Sequence, residues 1–392
     1  MAAIKYPSTP ASISLRHHQT NMEAARSANA GRRQSEETLA DVQASLERIV
    51  RLYNYGKPLF PRRLLKDLHE QISKGYERVS IPDWDDQPNT YSLKVPENCT
   101  RESDTYVINY SSIQRLTYFN PQLPKLLLES PCPISIGYTR SPSHPGITLK
   151  EIHDAFKQIR RGWQDSETCS NLEGSFVQPR FWSSTITRIV AFGLGTLGKA
   201  EFGNVSVRSY AQHAAMLTMA TILKEKRISK GQDVQCFAQD PWYDEKDVDF
   251  LRGLGITVVN DPEGFLMIDE HTLVFSVCPN IPVRQIVADV QWPAAMVWNS
   301  PLPEGQINEW KSRLGNGEVF WTGPMMTDPD SERVCEMLRN YDGARLVDNS
   351  DYFGDLTVYA RRNYNTAAFS NGRVICSWQN CWIPFKLTPK LS

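Results

Sequence analysis

Three glycines carry the strongest chemical signal in the chain. Gly193, Gly195 and Gly198 stand in the run Arg188-Ile-Val-Ala-Phe-Gly-Leu-Gly-Thr-Leu-Gly, a short apolar strand that empties into G-x-G-x-x-G. Glycine at the first two positions lets the chain turn sharply and leaves no Cβ between backbone N–H groups and a phosphate or ribose. The pattern predicts a βα turn that binds a nucleotide-like cofactor, against the plainer reading of a tight turn packed under a loop. Asp240, in Ala238-Gln239-Asp240-Pro241, closes the next expected strand, where an acid usually holds ribose hydroxyls. It follows Gly193 by 47 residues (240 less 193), rather than the roughly 20 of a compact βαβ unit. Capping of the following helix explains it equally well.

Other candidates are predicted at strand ends and on the helix after the turn. Cys278 and Asn299 follow two further apolar runs, the place where open α/β sheets bind ligands. A thiolate at Cys278 would need a base, and the nearest histidine in sequence, His271, precedes that strand, so a packed thiol is the alternative. Asn299 can donate to and accept from a ligand edge, or simply form a turn before Pro301. His213 is the candidate for polarising or deprotonating a ligand, with Asn299 near the acceptor; its apolar neighbours Ala214, Met216 and Leu217 also suit a structural histidine. Trp242 and Tyr243 offer a stacking wall or ordinary packing.

These residues need a scaffold, and the chain spells one out from Thr187 onward. Strands are expected at 189–192, 234–238, 257–259, 273–277 and 295–298, with helices at 210–226, 245–254 and 283–290 between them. Apolar runs alternating with helices imply a parallel sheet covered on both faces, a doubly wound Rossmann-like fold. A helix near 331–339 and two alternating stretches, 345–347 and 356–360, imply a closing antiparallel hairpin, as in S-adenosylmethionine-dependent methyltransferases. Ahead of the sheet, Thr148 and Glu151 form a capping box for a helix reaching Trp163, and 165–180 is expected to be a linker. Residues 36–145 form an N-terminal helical and irregular covering region: from Glu36 apolar residues at Leu39, Val42, Leu46, Ile49, Val50 and Tyr53 mark a helix that ends near Asn54-Tyr-Gly56, and seven prolines lie between Ile81 and Pro133. Residues 1–35, poor in large apolar side chains, are a disordered tail, 146–365 the main domain and 366–392 an extension.

The bulk numbers narrow the function classes. Forty-three Lys plus Arg against 44 Asp plus Glu leave a formal net charge of −1, which argues against nucleic acid as the main partner. No window holds about 18 consecutive apolar residues, and the first twenty residues are polar, so no membrane association is expected and an intracellular place, cytoplasmic or also nuclear, is. Eight scattered cysteines without metal spacing read as reduced thiols, with no metal site.

Taken together, Val190-Ala-Phe-Gly-Leu-Gly-Thr-Leu, Tyr210-Ala-Gln212, Gln239-Asp-Pro-Trp-Tyr, Leu251-Arg-Gly-Leu-Gly255 and Thr272-Leu-Val-Phe resemble the domain named for "sensitivity to red light reduced" over about 145–300. Two words depart from its pattern: Val277-Cys278-Pro279 stands where the family shows Pro-His-Cys, and Trp298 replaces a glycine before Asn299-Ser300. The divergence resembles a fungal branch of that family. The resemblance implies a regulatory protein, since relatives are associated with light and circadian signalling, haem metabolism and cytoskeletal stability, and no accepted catalytic activity comes with the domain. The leading expectation is a regulatory protein with a small-molecule crevice for S-adenosylmethionine or another nucleotide-like ligand. A methyltransferase-like enzyme and a non-catalytic module for a protein partner are the alternatives.

Overall fold

Short apolar runs with turn residues at each end become strands, and their 3–4 spaced neighbours become helices. The computed structural model describes residues 39–117, 132–143, 146–178, 185–198, 206–226, 230, 232–300, 311–315, 318–322 and 327–362. The expectations for 1–35 and 366–392 lie outside them. In chain order come α1 (Leu39–Asn54), α2 (Arg62–Ser73), the hairpin of β1 (Arg78–Pro82) and β2 (Pro88–Ser92), β3 (Thr105–Tyr110), α3 (Ile113–Leu116) and β4 (Ile134–Thr139). Next are α4 (Leu149–Gln164), α5 (Glu167–Phe176), β5 (Arg188–Phe192), α6 (Val207–Glu225), β6 (Gln235–Gln239), α7 (Glu245–Gly253), β7 (Ile256–Val258) and α8 (Glu263–Leu266). The chain continues through β8 (Thr272–Ser276), α9 (Val283–Val290), β9 (Ala295–Asn299), the hairpin of β10 (Lys311–Gly315) and β11 (Glu318–Thr322), α10 (Glu332–Leu338), β12 (Tyr341–Leu346) and β13 (Leu356–Arg361).

Seven strands form one sheet in the order β12-β13-β9-β8-β5-β6-β7. β7, β6, β5, β8 and β9 are parallel, whereas β13 inserts antiparallel between β9 and β12. The fold is therefore α/β with a mostly parallel sheet and a C-terminal antiparallel pair, as the strand pattern predicts. Strand order reverses between β5 and β8, which makes their C-terminal ends the topological switch point.

Alternation along β5 sends Ile189 and Ala191 to one face of the sheet and Val190 and Phe192 to the other, and two buried clusters follow. On the first face α6 is buried over most of its circumference, from Ser209 through Leu223. Its outer side is covered by α4, whose Ile152, Phe156 and Trp163 recur at 4 and 7 residues. The Trp163 indole N–H donates to Thr218 Oγ1 at 3.0 Å, so the largest side chain in this layer is buried with its polar atom satisfied. On the second face α8, α9 and α10 share a core with Leu59, Phe60, Leu65, Trp84 and Tyr110 from the N-terminal region. Phe192 stacks on Phe265 there, ring centroids 4.4 Å apart.

Two element expectations are corrected. The linker expected at 165–180 contains α5, capped by Ser166, which accepts from Cys169 N at 3.1 Å. Its serines, asparagine and Gly174 read as loop in isolation, but Cys169, Leu172 and Phe176 are buried against the first face, and tertiary packing overrides weak propensity. α6 starts three residues earlier than its apolar spacing suggests, because Ser206 accepts from Ser209 N and caps it.

Candidate functional site

The glycine turn lies at the switch point, immediately after β5. Gly193 and Gly195 have φ of +73° and +76°, backbone that side chains rarely adopt. Space is short as well. A Cβ on Gly193 would lie 3.0 Å from Pro279, just past the end of β8, and one on Gly195 would lie 2.6 Å from Ser209 Oγ in the first turn of α6. The turn thus brings the C-terminal ends of β5 and β8 and the first turn of α6 together, with its backbone close to both neighbours.

Three backbone N–H groups in the turn already have side-chain acceptors. Gly195 N donates to Asp240 Oδ2 at 2.8 Å, Leu197 N to Asp247 Oδ1 at 2.8 Å, and Gly198 N to Thr196 Oγ1 at 2.8 Å. Thr196 Oγ1 in turn donates to Asp247 Oδ2 at 2.7 Å. The 47-residue separation is no obstacle, since β6 lies directly beside β5 and delivers Asp240 to the turn. The other Asp240 oxygen accepts from Trp242 N at 2.8 Å, a short loop closure that aims the carboxylate at Gly195. Asp247, which composition did not single out, has two tasks: it completes a capping box with Asp244 at the start of α7 and clamps the turn. The Asp-x-x-Asp spacing from 244 to 247 is the one sequence signal that could have marked it. Burial pushes both carboxyls above their ordinary range, against the hydrogen bonds from the turn, which favour the charged form.

His213 lies on α6 with no exposed surface. Its Nδ1–H donates to Ser209 O at 2.7 Å, which leaves Nε2 to accept from the Tyr243 hydroxyl at 2.8 Å. Burial holds the imidazole neutral, its pKa pushed down to about 4. In this arrangement the ring ties α6 to the loop after β6; both nitrogens are engaged away from solvent. Gln212 is also buried and donates to Tyr352 O at 3.2 Å, which links α6 to the loop before β13. Tyr243 is buried, whereas Trp242 is half exposed beside Asp240, so of the two only Trp242 presents a face toward solvent.

Cys278 and Asn299 come together at the ends of β8 and β9. Asn299 Oδ1 accepts from Cys278 N at 2.6 Å, and Asn299 Nδ2 donates to Cys278 Sγ at 3.3 Å. The packed-thiol expectation is corrected here: Cys278 is exposed, lifted out by a turn with φ of +45° that its own backbone N–H and Asn299 stabilise. One step deeper, Ser276 and Trp298 face each other in register on the same strands. Both are buried, and neither Ser276 Oγ nor Trp298 Nε1 finds a hydrogen-bond partner among the described residues. Glycine-turn reasoning could not reveal this pair, which is recognisable only once register is known.

Beyond the turn, the end of β6 supports a second polar knot. Gln239 accepts from Gly264 N at 2.9 Å and donates to Asp261 Oδ1 at 3.1 Å, and Tyr110 from β3 donates to the same oxygen at 2.6 Å. No group of three His, Cys, Asp or Glu suited to a metal occurs among the described residues, and no helix among them is long and apolar enough to cross a membrane.

The model of one family, described as the SRR1 domain, matches residues 169–315, from α5 through β5 and the glycine turn to β10. No curated protein matches the chain.

Proposed function

We propose, for a chain that carries an SRR1 domain over residues 169–315, a regulatory role exercised by binding a phosphate-free nucleoside-type small molecule at the switch point. One observation carries this reading: two of the N–H groups that such turns usually offer to a phosphate, those of Gly195 and Leu197, are held by the carboxylates of Asp240 and Asp247. A phosphate there would meet two acids in a desolvated setting, where like charges repel strongly. An uncharged ribose or a cationic sulfonium would not. Asp240 keeps lone pairs for ribose hydroxyls, Trp242 offers an aromatic face beside it, and Cys278 and Asn299 border the far side. S-adenosylmethionine is the ligand that suits this charge pattern. With His213 turned inward and fully engaged, the set is better suited to recognition than to proton transfer.

Calorimetry of the full chain with S-adenosylmethionine, S-adenosylhomocysteine, NAD, ATP and haem tests the reading. The adenosine sulfur compounds are expected to bind, and Asp240→Asn to weaken them about tenfold, the effect of losing one charge-assisted hydrogen bond. Absence of binding by both, or tighter binding of ATP or NAD at the turn, overturns it.

The antiparallel insertion of β13 supports a second reading, methyl transfer from the same ligand. It requires an acceptor beside Asn299 and a base other than His213. Incubation with S-adenosylmethionine labelled at the methyl carbon and a cell extract reads it directly; no transferred label removes it. Cytoplasmic and nuclear residence is proposed with either reading.

A further inference from the structure

The face of α4 that does not pack on α6 carries a feature unrelated to the glycine turn. An open groove of about 590 Å³ runs between α4 and α7. Its rim holds Lys157, Arg160 and Arg161, all exposed, and its floor is formed by Phe250 and Leu254. His153 closes one end with its ring edge-on to Phe250, centroids 4.7 Å apart. Among the described residues none of the three cations has an ion-pair or hydrogen-bond partner, although exposed arginines elsewhere, such as Arg48, Arg252, Arg345 and Arg362, each find an aspartate. Asp154 is the single acid among the described residues that line the groove.

Helical spacing explains why the cations converge. Residues 157, 160 and 161 are three and four apart on one side of α4, roughly 6 Å along the axis. Like charges this close repel one another by a few tenths of a kcal/mol per pair, so the arrangement costs the free protein stability that an acidic partner would recover. A groove open along its length suits an extended or helical segment better than a small molecule, which pockets usually enclose.

Neither residues 1–38 nor residues 363–392 carry the acidic composition that the groove calls for. Residues 363–392 hold no Asp or Glu, and residues 1–38 hold more Arg and Lys than Glu. A duplex is also a poor match: the patch has three cations and an acid, on a chain of net charge −1. We infer that the α4–α7 groove docks an acidic peptide segment of a partner protein, with Lys157, Arg160 and Arg161 reading its carboxylates and an apolar side chain resting on Phe250 and Leu254. Arginine's fork pairs bidentately with carboxylates, which gives register as well as attraction.

Fluorescence anisotropy with the full chain tests this. The probe is a fluorescein-labelled twelve-residue peptide of alternating Glu and Gly with one central Phe, roughly the number of residues needed to follow the groove. Wild type is expected to bind it, more weakly as salt rises. The triple variant K157E/R160E/R161E should bind at least tenfold more weakly with an unchanged melting temperature. A control with the same charge change elsewhere, K66E/K94E/R101E, should retain binding, and Phe→Ala in the peptide should weaken it severalfold. Equal loss in both triple variants shows a net-charge effect only and overturns the proposal. So does absence of binding by wild type, or tighter binding of a 20-base-pair duplex or of vesicles rich in phosphatidylserine through the same three cations.

Discussion

Gly195 shows how a single missing Cβ can set local geometry. At φ of +76° and 2.6 Å from Ser209 Oγ, an added methyl meets both a backbone penalty and a clash. Gly195→Ala should cost about 1–3 kcal/mol in urea unfolding, and Ser209→Ala in the same chain should recover part of that loss; no recovery would assign the cost to backbone alone. Two buried ionisable groups give pH predictions of opposite sign. Burial pushes the Asp261 carboxyl up to about 7, despite the hydrogen bonds from Tyr110 and Gln239. The native state then keeps a proton that the unfolded chain releases from about pH 4 upward, so this group's contribution to stability falls as pH rises through that window, by at most about 1.4 kcal/mol per unit. His213, pushed down to about 4, stays neutral where the unfolded chain takes up a proton, so its contribution is lost as pH falls from 6.5 toward 4. The melting temperature of Asp261→Asn relative to wild type should therefore climb between pH 4.5 and 7, and that of His213→Gln should decline. Parallel curves for wild type and either variant would contradict the assigned ionisation.

At the scale of elements, the cap of α4 was fully legible. Thr148 Oγ1 accepts from Glu151 N at 3.2 Å while Glu151 accepts from Thr148 N at 2.7 Å, and Thr148→Ala should lower stability by about 1 kcal/mol in denaturant titration. A shift well under half of that would mean the helix is held by packing alone. The strands around the glycine turn were legible for the same reason, because burial on both faces leaves unbroken apolar runs such as Ile189-Val-Ala-Phe192. α5 was not: its polar surface hides four buried residues that matter only once β12 and α6 are beside it. The site divides along this line. Glycines, Asp240 and Asn299 could be named from chain position, because strand ends in open sheets are where ligands sit. Asp247, Asp261 and the Ser276–Trp298 pair act through partners 22 to 151 residues away, and no local pattern encodes such separations. His213 illustrates the converse: its neighbours were visible, but the inward direction of the ring depends on Tyr243, which the loop after β6 supplies.

For the whole molecule, Asp289 is one of the carboxylates that join the N-terminal region to the sheet domain. Asp289 on α9 accepts from Leu59 N at 2.7 Å and Phe60 N at 3.0 Å and pairs with Arg333 of α10 at 2.9 Å. Arg333 also stacks over Tyr53 and donates to backbone oxygens of Tyr53 and Lys57. Arg333→Met leaves Asp289 buried without its countercharge, and a loss of about 3–5 kcal/mol is expected, read as one cooperative transition in guanidinium. Two separated transitions would instead mean that the layers unfold independently. Removing residues 1–145 should uncover Phe192, Val274, Met296 and Trp298, so the shortened chain is expected to bind a hydrophobic dye or aggregate where the full chain does neither.

Asp240 and Asp247 also act as tethered competitors. Each is delivered to the glycine turn by its own secondary structure, at an effective concentration that a free anion at cellular levels would have to exceed before displacing it. In the proposed reading the turn screens the metabolite pool by intramolecular occupancy, and shortening its tethered acids would change which molecules can enter. Asp247→Ser should convert it from a seat already taken into one that accepts inorganic phosphate.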